Sequence, residues 1–561
     1  MKNLYLKCCF LFLSVVGTAS LLNAQQWGDY TLHPSGNTTV LVDTTDAAVV
    51  QHTWNHSQGT GYSAYLMPGG ILWRTVKASG TSFGGGPITG QVQKVAYDGT
   101  LLWDFVYSTT AYCSHHDICP MPNGNVLLIA YESKTISEVT AAGSSSNIVM
   151  WPDKIVEVKP TGATTGEIVW EWHTWDHLVQ NKYPSAANYQ SSIVEHPELI
   201  NINYKTAKDW QHMNGVDYNP ILDQVTFSSH NFSEIYVIDH STTTAEAASH
   251  KGGNSGKGGD ILYRWGNPAA YEANGTAILN VTHDAHWITE DCPNAGYLAA
   301  FNNKGVSSTQ SCADFVKSPV NGYNYDLTVG SAYEPASYSM RMPAGAYSSN
   351  MGSCQQLPNG NVLICVATAG IIKEFSPAGK VLWSKTVSGG CAKAFRYNKC
   401  YVENPAPAIP TVTVNGTKVS STAATTYQWY CNGVLIPGAT SQDYTPVKNG
   451  KYVVRITDSK GCYYQYSLGV AYTGFTTIAK NELEQKFGFY PNPTTGVITI
   501  DNTQLYGMSY EITVFDAVGK QVKAEKNAVQ IDLSAYENGI YFMQVSDGNH
   551  TTFTKKISLI K

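Results

Sequence analysis

Residues 113–131 read CSHHDICPMPNGNVLLIAY. A polar, His-rich segment leads into the turn Pro122-Asn123-Gly124, and an apolar run follows from Val126. Pro and Gly flanking Asn set a tight turn, and the run after it has the length and composition of a strand buried on both faces. The phrase returns at residues 357–367, LPNGNVLICVA, so the unit is copied. Residues 219–229 and 294–301 read as degenerate copies.

Around these copies lies a second repeat. Turn residues followed by a tryptophan recur at Asp98-Gly99…Trp103, Thr165-Gly166…Trp170, Gly259-Asp260…Trp265 and Ala378-Gly379…Trp383. Apolar strands at 155–158, 235–238 and 371–375 precede three of them, so each pair reads as a hairpin with a PNGN-type inner strand upstream. Four-strand units over residues 60–400 predict an all-β chain, a β-propeller of five or six blades with long inserted loops. The tryptophans read as packing residues. Of the insertions, 170–203 is expected to be part helical, and 242–259 a Gly/Ser/Ala-rich surface loop.

Low charge, 49 glycines and 36 tyrosines in 561 residues agree with a β-rich protein. A net charge of −6 without a basic run excludes nucleic acid as the expected partner. Residues 1–24, with Lys2 and Lys7 before an apolar run, read as a secretory signal peptide cleaved before Gln25. No later run is long enough to span a bilayer. Ten of the twelve cysteines follow the leader. In an exported chain they suggest disulfides between near neighbours: Cys113–Cys119, Cys292–Cys312, Cys354–Cys365, Cys391–Cys400 and Cys431–Cys462. CxxC spacing is absent, which argues against a cysteine zinc site.

Four regions follow: leader 1–24, propeller 25–403, a Pro/Ala linker with a small sandwich over 404–480, and a second sandwich over 485–561. The first sandwich resembles bacterial immunoglobulin-like modules in Tyr427-Gln428-Trp429-Tyr430-Cys431, Asn432-Gly433 and Gly461-Cys462, and reads as a spacer. The second resembles the type A C-terminal sorting domain of the type IX secretion system of Bacteroidota. It matches in Tyr490-Pro491-Asn492-Pro493-Thr494-Thr495-Gly496, Phe515-Asp516-Ala517-Val518-Gly519-Lys520, Gly539-Ile540-Tyr541-Phe542 and Lys555-Lys556. That resemblance implies the secretion machinery as a partner, passage across the outer membrane, then release or attachment at the cell surface.

Histidines recur at one point of the repeat. His115 and His116 precede the turn at Asn123, His212 precedes Asn219 at the offset of His116 from Asn123, and His283 and His286 precede the strand near Asn294. Equivalent points of three blades meet at the central channel, so these imidazoles are expected to converge. Asp117, Asp217 and Asp284 are expected to orient them. His230 follows a strand and is open to two readings, a structural residue or one that reaches the channel. His173, His177, His196, His240 and His250 read as hydrogen-bonded structural residues.

Residues 60–385 resemble the bacterial arylsulfate sulfotransferase family in HHDICPMPNGNVLLIAYE, WPDKIVEVKPTG, DWQHMNGVDYNPILDQVTFSSHNFSEIYVIDHSTTTAEAASHKGG, GKGGDILYRWGNPAAY, THDAHWI and LPNGNVLI. The resemblance implies a six-bladed propeller that moves sulfuryl groups from phenolic sulfate esters to phenols through a sulfo-histidine. It uses neither the nucleotide donor PAPS nor another cofactor, and no metal site is assigned. It places His116, His212 and His283 in catalysis, with His115, Asn214, His230, His286, Lys304 and Arg341 binding substrate. The family's late-blade histidine, which carries the sulfuryl group, is replaced here by the segment Tyr347-Ser348-Ser349-Asn350-Met351-Gly352. Lys304, or Arg341, stands in for an arginine. Another imidazole, His116 or His283, would then take the sulfuryl group. The alternatives are a non-catalytic surface propeller binding sulfated or phenolic ligands, and a divalent-ion hydrolase.

Overall fold

The computed structural model describes residues 26–475, 484, 486–501, 509–547 and 552–561; the expected signal peptide lies outside them. Six four-stranded antiparallel sheets succeed one another between Tyr30 and Tyr397, each one blade of a propeller. The second to sixth blades begin with their innermost strands, Thr60–Met67, Tyr112–Pro120, Met213–Asn219, Thr282–Trp287 and Ser353–Gln356. The first blade is built from both ends of the region. Its innermost strand, Phe395–Tyr397, pairs with Tyr30–Ser35, Leu32 opposite Phe395 and Tyr30 opposite Tyr397. This closure leaves the ring no open joint.

The apolar strand after PNGN is second in its blade, not innermost. Val126–Glu132 pairs with Tyr112–Pro120 on one side and Asp153–Pro160 on the other; Val362–Val366, Gln224–Ser229 and Leu298–Ser307 hold the same place. The innermost strand faces a polar channel, so its polarity made it read as a loop. His115 and His116 therefore lie within a strand.

Why the tryptophans recur is now visible. Each lies on the outermost strand of its blade and donates its indole N–H to the neighbouring blade: Trp54 to the Ala96 carbonyl (2.9 Å), Trp103 to Thr165 (2.9 Å), Trp170 to the Thr242 hydroxyl (3.1 Å), Trp265 to Pro335 (2.8 Å) and Trp383 to Thr45 (3.0 Å). They are packing residues that also staple blade to blade.

The insertion over 170–203 has only a 3₁₀ turn, Thr174–Asp176, and a short parallel pair, Leu178–Val179 with Ile200–Asn201. The helical expectation fails there because Pro184 and Pro197 break the run. In the Gly-rich loop, Thr243 and Glu246 form a capping box on the short helix Thr244–Ala247.

None of the five expected disulfides forms. The bond present joins Cys400 to Cys462, tying the end of the propeller to the first sandwich; the other eight described cysteines are free and buried. Cys113 and Cys119 occupy one extended strand, too far apart to bridge. Cys354 and Cys365 are one register step apart, Cys354 facing Ile364 and Ser353 facing Cys365, so their side chains enter opposite packing layers. Cys365 instead lies 3.4 Å from Cys391.

The first sandwich packs a three-stranded against a five-stranded sheet around Trp429. Its Arg455 and Tyr430 reach Glu290 of the propeller (3.4 and 3.1 Å). The second packs a three-stranded and a four-stranded sheet over Ile498, Ile512, Val514, Met543 and Ile557.

His240 clamps two blades together. Its ring bridges Asp223 (2.9 Å) and Glu157 (3.0 Å). Burial pushes its pKa down, but the hydrogen bonds and charges of the two carboxylates outweigh it and hold the ring at about 9. A raised histidine pKa stabilises the fold fully below its unfolded value of 6.5 and ceases to do so as pH rises through 9. At low pH the shift corresponds to about 3 kcal/mol. The urea midpoint of His240→Gln should trail the wild type most at pH 6, and the gap should close by pH 9.5. A gap independent of pH would show that the bridge is not charged.

Candidate active site

Each innermost strand is bulged where it passes the channel histidines. Its register shifts between Ser114 and Ile118, Met213 and Gly215, and His283 and His286. Left-handed backbone appears alongside, at His116 (φ 49°), His212 (φ 56°), Asp284 (φ 60°) and Met351 (φ 56°). Bulges re-aim side chains, and non-glycine residues at positive φ concentrate at functional sites.

The result is a line of imidazoles across three blades. Ring centroids are 5.0 Å apart for His115–His116, 4.6 Å for His116–His212, 4.9 Å for His212–His230 and 5.6 Å for His230–His283. All lie toward the N-terminal ends of the inner strands.

Their partners assign the protons. His212 donates Nδ1–H to Asp209 (2.6 Å). Burial pushes the Asp209 carboxyl up, but hydrogen bonds from His212 and Tyr131 outweigh it and hold it below the usual range. Asp209 is therefore the ionised acceptor of the Nδ1 contact, and His212 Nε2 takes no hydrogen bond among the described residues. The His212 side chain keeps 19% exposure. His230 has Nδ1 on the Asn231 amide oxygen (2.8 Å), and burial pushes its pKa down.

Behind His212 runs a three-member chain: Asp153 Oδ1 to His115 Nε2 (2.8 Å), then His115 Nδ1 to His116 Nδ1 (2.7 Å). Burial, with the charge of Asp209, raises the Asp153 carboxyl well above its ordinary value. Burial drives His115 down to about 3 and His116 well below its ordinary value. At rest the proton sits on Asp153, each link donates forward, and His116 Nε2–H is a donor. Losing that proton reverses every link and leaves the charge on Asp153.

The expected site divides accordingly. His115 is fully buried and acts through His116. His283 has both ring nitrogens occupied: Nδ1 donates to Asn303 (2.7 Å) and Nε2 accepts the Met351 N–H (3.1 Å). It cannot attack sulfur. Asn214 spans Thr282 and Ser228 (2.8 and 2.7 Å) as a blade-to-blade link. His286 sits on the Asp284 carbonyl (2.8 Å) and lines a separate cavity at the other end of the channel. Arg341 is on the fifth blade's outermost strand, paired with Asp314 (2.6 Å). Lys304 is half-buried, and its charge reaches His230.

The inner-strand aspartates do not orient the imidazoles of the line, although Asp284 Oδ2 lies 3.7 Å from His286 Nδ1. They accept backbone N–H groups of the next blade: Asp117 from Val216 (3.2 Å), Asp217 from Trp287 (2.9 Å) and Asp284 from Cys354 (2.9 Å). Asp153 and Asp209 take the orienting role. Lys393, which the motifs did not flag, ion-pairs with Asp117 (2.5 Å) and Asp284 (2.6 Å) inside the channel. Beyond it a cavity of about 460 Å³ is lined by the C-terminal ends of inner strands and by Tyr463, Tyr464 and Tyr466 of the first sandwich.

Fold and site together define a six-bladed propeller with an acid-backed imidazole cluster in its channel. The chain belongs to the arylsulfotransferase family, whose profile matches residues 90–401. Residues 488–561 match the secretion system C-terminal sorting domain, which marks the protein for export to the cell surface or medium. No helix among the described residues is long and apolar enough to cross a membrane. No curated protein matches the chain. Similar solved structures include a protein of unknown function from Bacteroides caccae (11% identity, 66% of this chain and 98% of that one, TM-score 0.36). Others are the periplasmic gluconolactonase PpgL of Pseudomonas aeruginosa (11%, 65% and 97%, TM-score 0.35) and an inactive virginiamycin B lyase from Staphylococcus aureus (9%, 71% and 93%, TM-score 0.31). Likenesses this distant carry no argument about function.

Proposed function

We propose that the protein is an exported, PAPS-independent arylsulfate sulfotransferase in which His212, rather than a late-blade histidine, carries the sulfuryl group. The observation that carries this reading is the partly exposed His212 ring, its Nδ1 held by Asp209 and its centroid 4.6 Å from that of His116. In the first half-reaction the Nε2 lone pair attacks sulfur, the S–N bond forms and the S–O bond to the aryl group breaks. His116 Nε2–H protonates the departing phenolate, and Asp153 ends ionised. A second phenol reverses each step: His116 takes its proton, its oxygen attacks sulfur, and His212 is freed. His230 and Lys304 are the groups nearest to stabilise the sulfuryl oxygens.

Mass analysis of the full chain tests this. Incubated with 4-nitrophenyl sulfate alone, the peptide holding His212 should gain one sulfuryl group, and added phenol should discharge it. A label on another residue, or phenol release without any labelled protein, overturns the assignment. A second reading, a propeller that binds arylsulfates without turnover, draws on Met351, which occupies His283 from the segment where the family carries its late-blade histidine. Saturable binding with no phenol released would establish it.

A further inference from the structure

Outside the channel, His177, His250 and Asp260 come together where the Gly-rich insertion of the fourth blade folds against the third. We propose that these three residues bind a divalent transition-metal ion of the zinc class. Read singly, each histidine is an ordinary structural residue, because the three are brought together only by the fold.

The geometry argues for an ion. His177 is fully buried, and its ring is parallel to Trp172 at 5.5 Å. Its Nε2 lies 2.8 Å from the Ala247 carbonyl, an acceptor only, so that nitrogen carries a proton. Yet Nδ1 points at Asp260 Oδ1, 2.9 Å away, and His250 Nδ1 reaches the same oxygen at 2.7 Å. Two ring nitrogens and a carboxylate oxygen thus lie within 4.8 Å of one another. A second ring nitrogen aimed at a carboxylate needs a proton or a metal ion between them. An ion bonded at about 2.0–2.1 Å fits there, with a modest opening of the donor triangle.

The surroundings have the features of a ligand shell. A metal-bound imidazole usually gives its other N–H to a carbonyl or carboxylate, which fixes the tautomer; here the Ala247 carbonyl does so, at the end of the capped helix Thr244–Ala247. Trp172 donates to the Gly259 carbonyl (2.7 Å). A Cβ on Gly259 would meet the Ala247 oxygen at 1.9 Å and His177 Nε2 at 2.6 Å, so only glycine lets the loop close on the ring. His250 is 63% exposed, which leaves a fourth position open to water. Two imidazoles with one carboxylate suit zinc, cobalt, nickel or copper better than calcium or magnesium, which prefer all-oxygen shells. The ion would pin the insertion to the third blade.

The test uses the full-length protein stripped with chelator and titrated with zinc chloride by calorimetry and with cobalt(II) by visible absorption. One ion per chain is expected, with d–d bands of low coordination number, and zinc should raise the thermal midpoint. His250→Ala and Asp260→Asn should weaken binding by at least about 100-fold and abolish the thermal gain, whereas His212→Ala should bind as the wild type does. His250 is exposed, so its replacement leaves the core intact, as equal midpoints of the stripped proteins would confirm. Absence of binding, or affinity unchanged in His250→Ala, overturns the proposal and leaves a doubly protonated His177 paired with Asp260.

Discussion

His212→Ala is expected to lose acceptor-dependent release of phenol from an arylsulfate by roughly 10⁴-fold, because no neighbour can replace its lone pair. His283 is closed at both nitrogens, and His116 is committed to the proton chain. Asp209→Asn, which keeps the shape but removes the charge backing Nδ1, should fall about 10²-fold. Asp153→Asn separates the proton chain from attack. It should spare donors with acidic leaving groups, such as 4-nitrophenyl sulfate, and slow phenyl sulfate sharply, since only the latter needs its phenolate protonated. Equal losses on both donors would remove the acid role from His116. Activity surviving in His212→Ala would move the sulfuryl carrier elsewhere.

Lys393→Met should be the most damaging single change in the channel. It leaves Asp117 and Asp284 buried and facing each other without their cation, and breaking a buried pair from one side costs about 3–5 kcal/mol. The residue joins the closing segment of the first blade to the third and fifth, so the loss should appear as a lower urea midpoint for the propeller. A triple variant that combines Lys393→Met with Asp117→Asn and Asp284→Asn removes the charges together. It should recover most of the loss, because each new amide oxygen still accepts its neighbour's backbone N–H. A wild-type midpoint for Lys393→Met would show that the cluster does not hold the ring.

Much of the channel was legible because the repeat carries its own register. His116 and His212 share one offset from their turn residues, His283 and His286 precede the strand of a third blade, and His230 was left ambiguous by the sequence. The strand order was misread: an apolar run buried on both faces is the second strand, and the polar strand before it faces the channel. Asn214 looked like a ligand because it sits in a family phrase, and Arg341 because the family's arginine is missing from its expected segment. Both spend their polar atoms within the fold.

Repeat, sorting tail and family follow from local order alone: short-range turn chemistry, apolar periodicity and long contiguous motifs need no knowledge of what lies opposite. Only the tertiary structure decided which imidazole is free and which is closed, that Asp153 rather than Asp117 backs the proton chain, and that Cys462 reaches Cys400. It also decided that Lys393 sits between two aspartates far off in sequence. Protonation and pairing depend on burial and on partners tens to hundreds of residues away, and those are set when the ring closes.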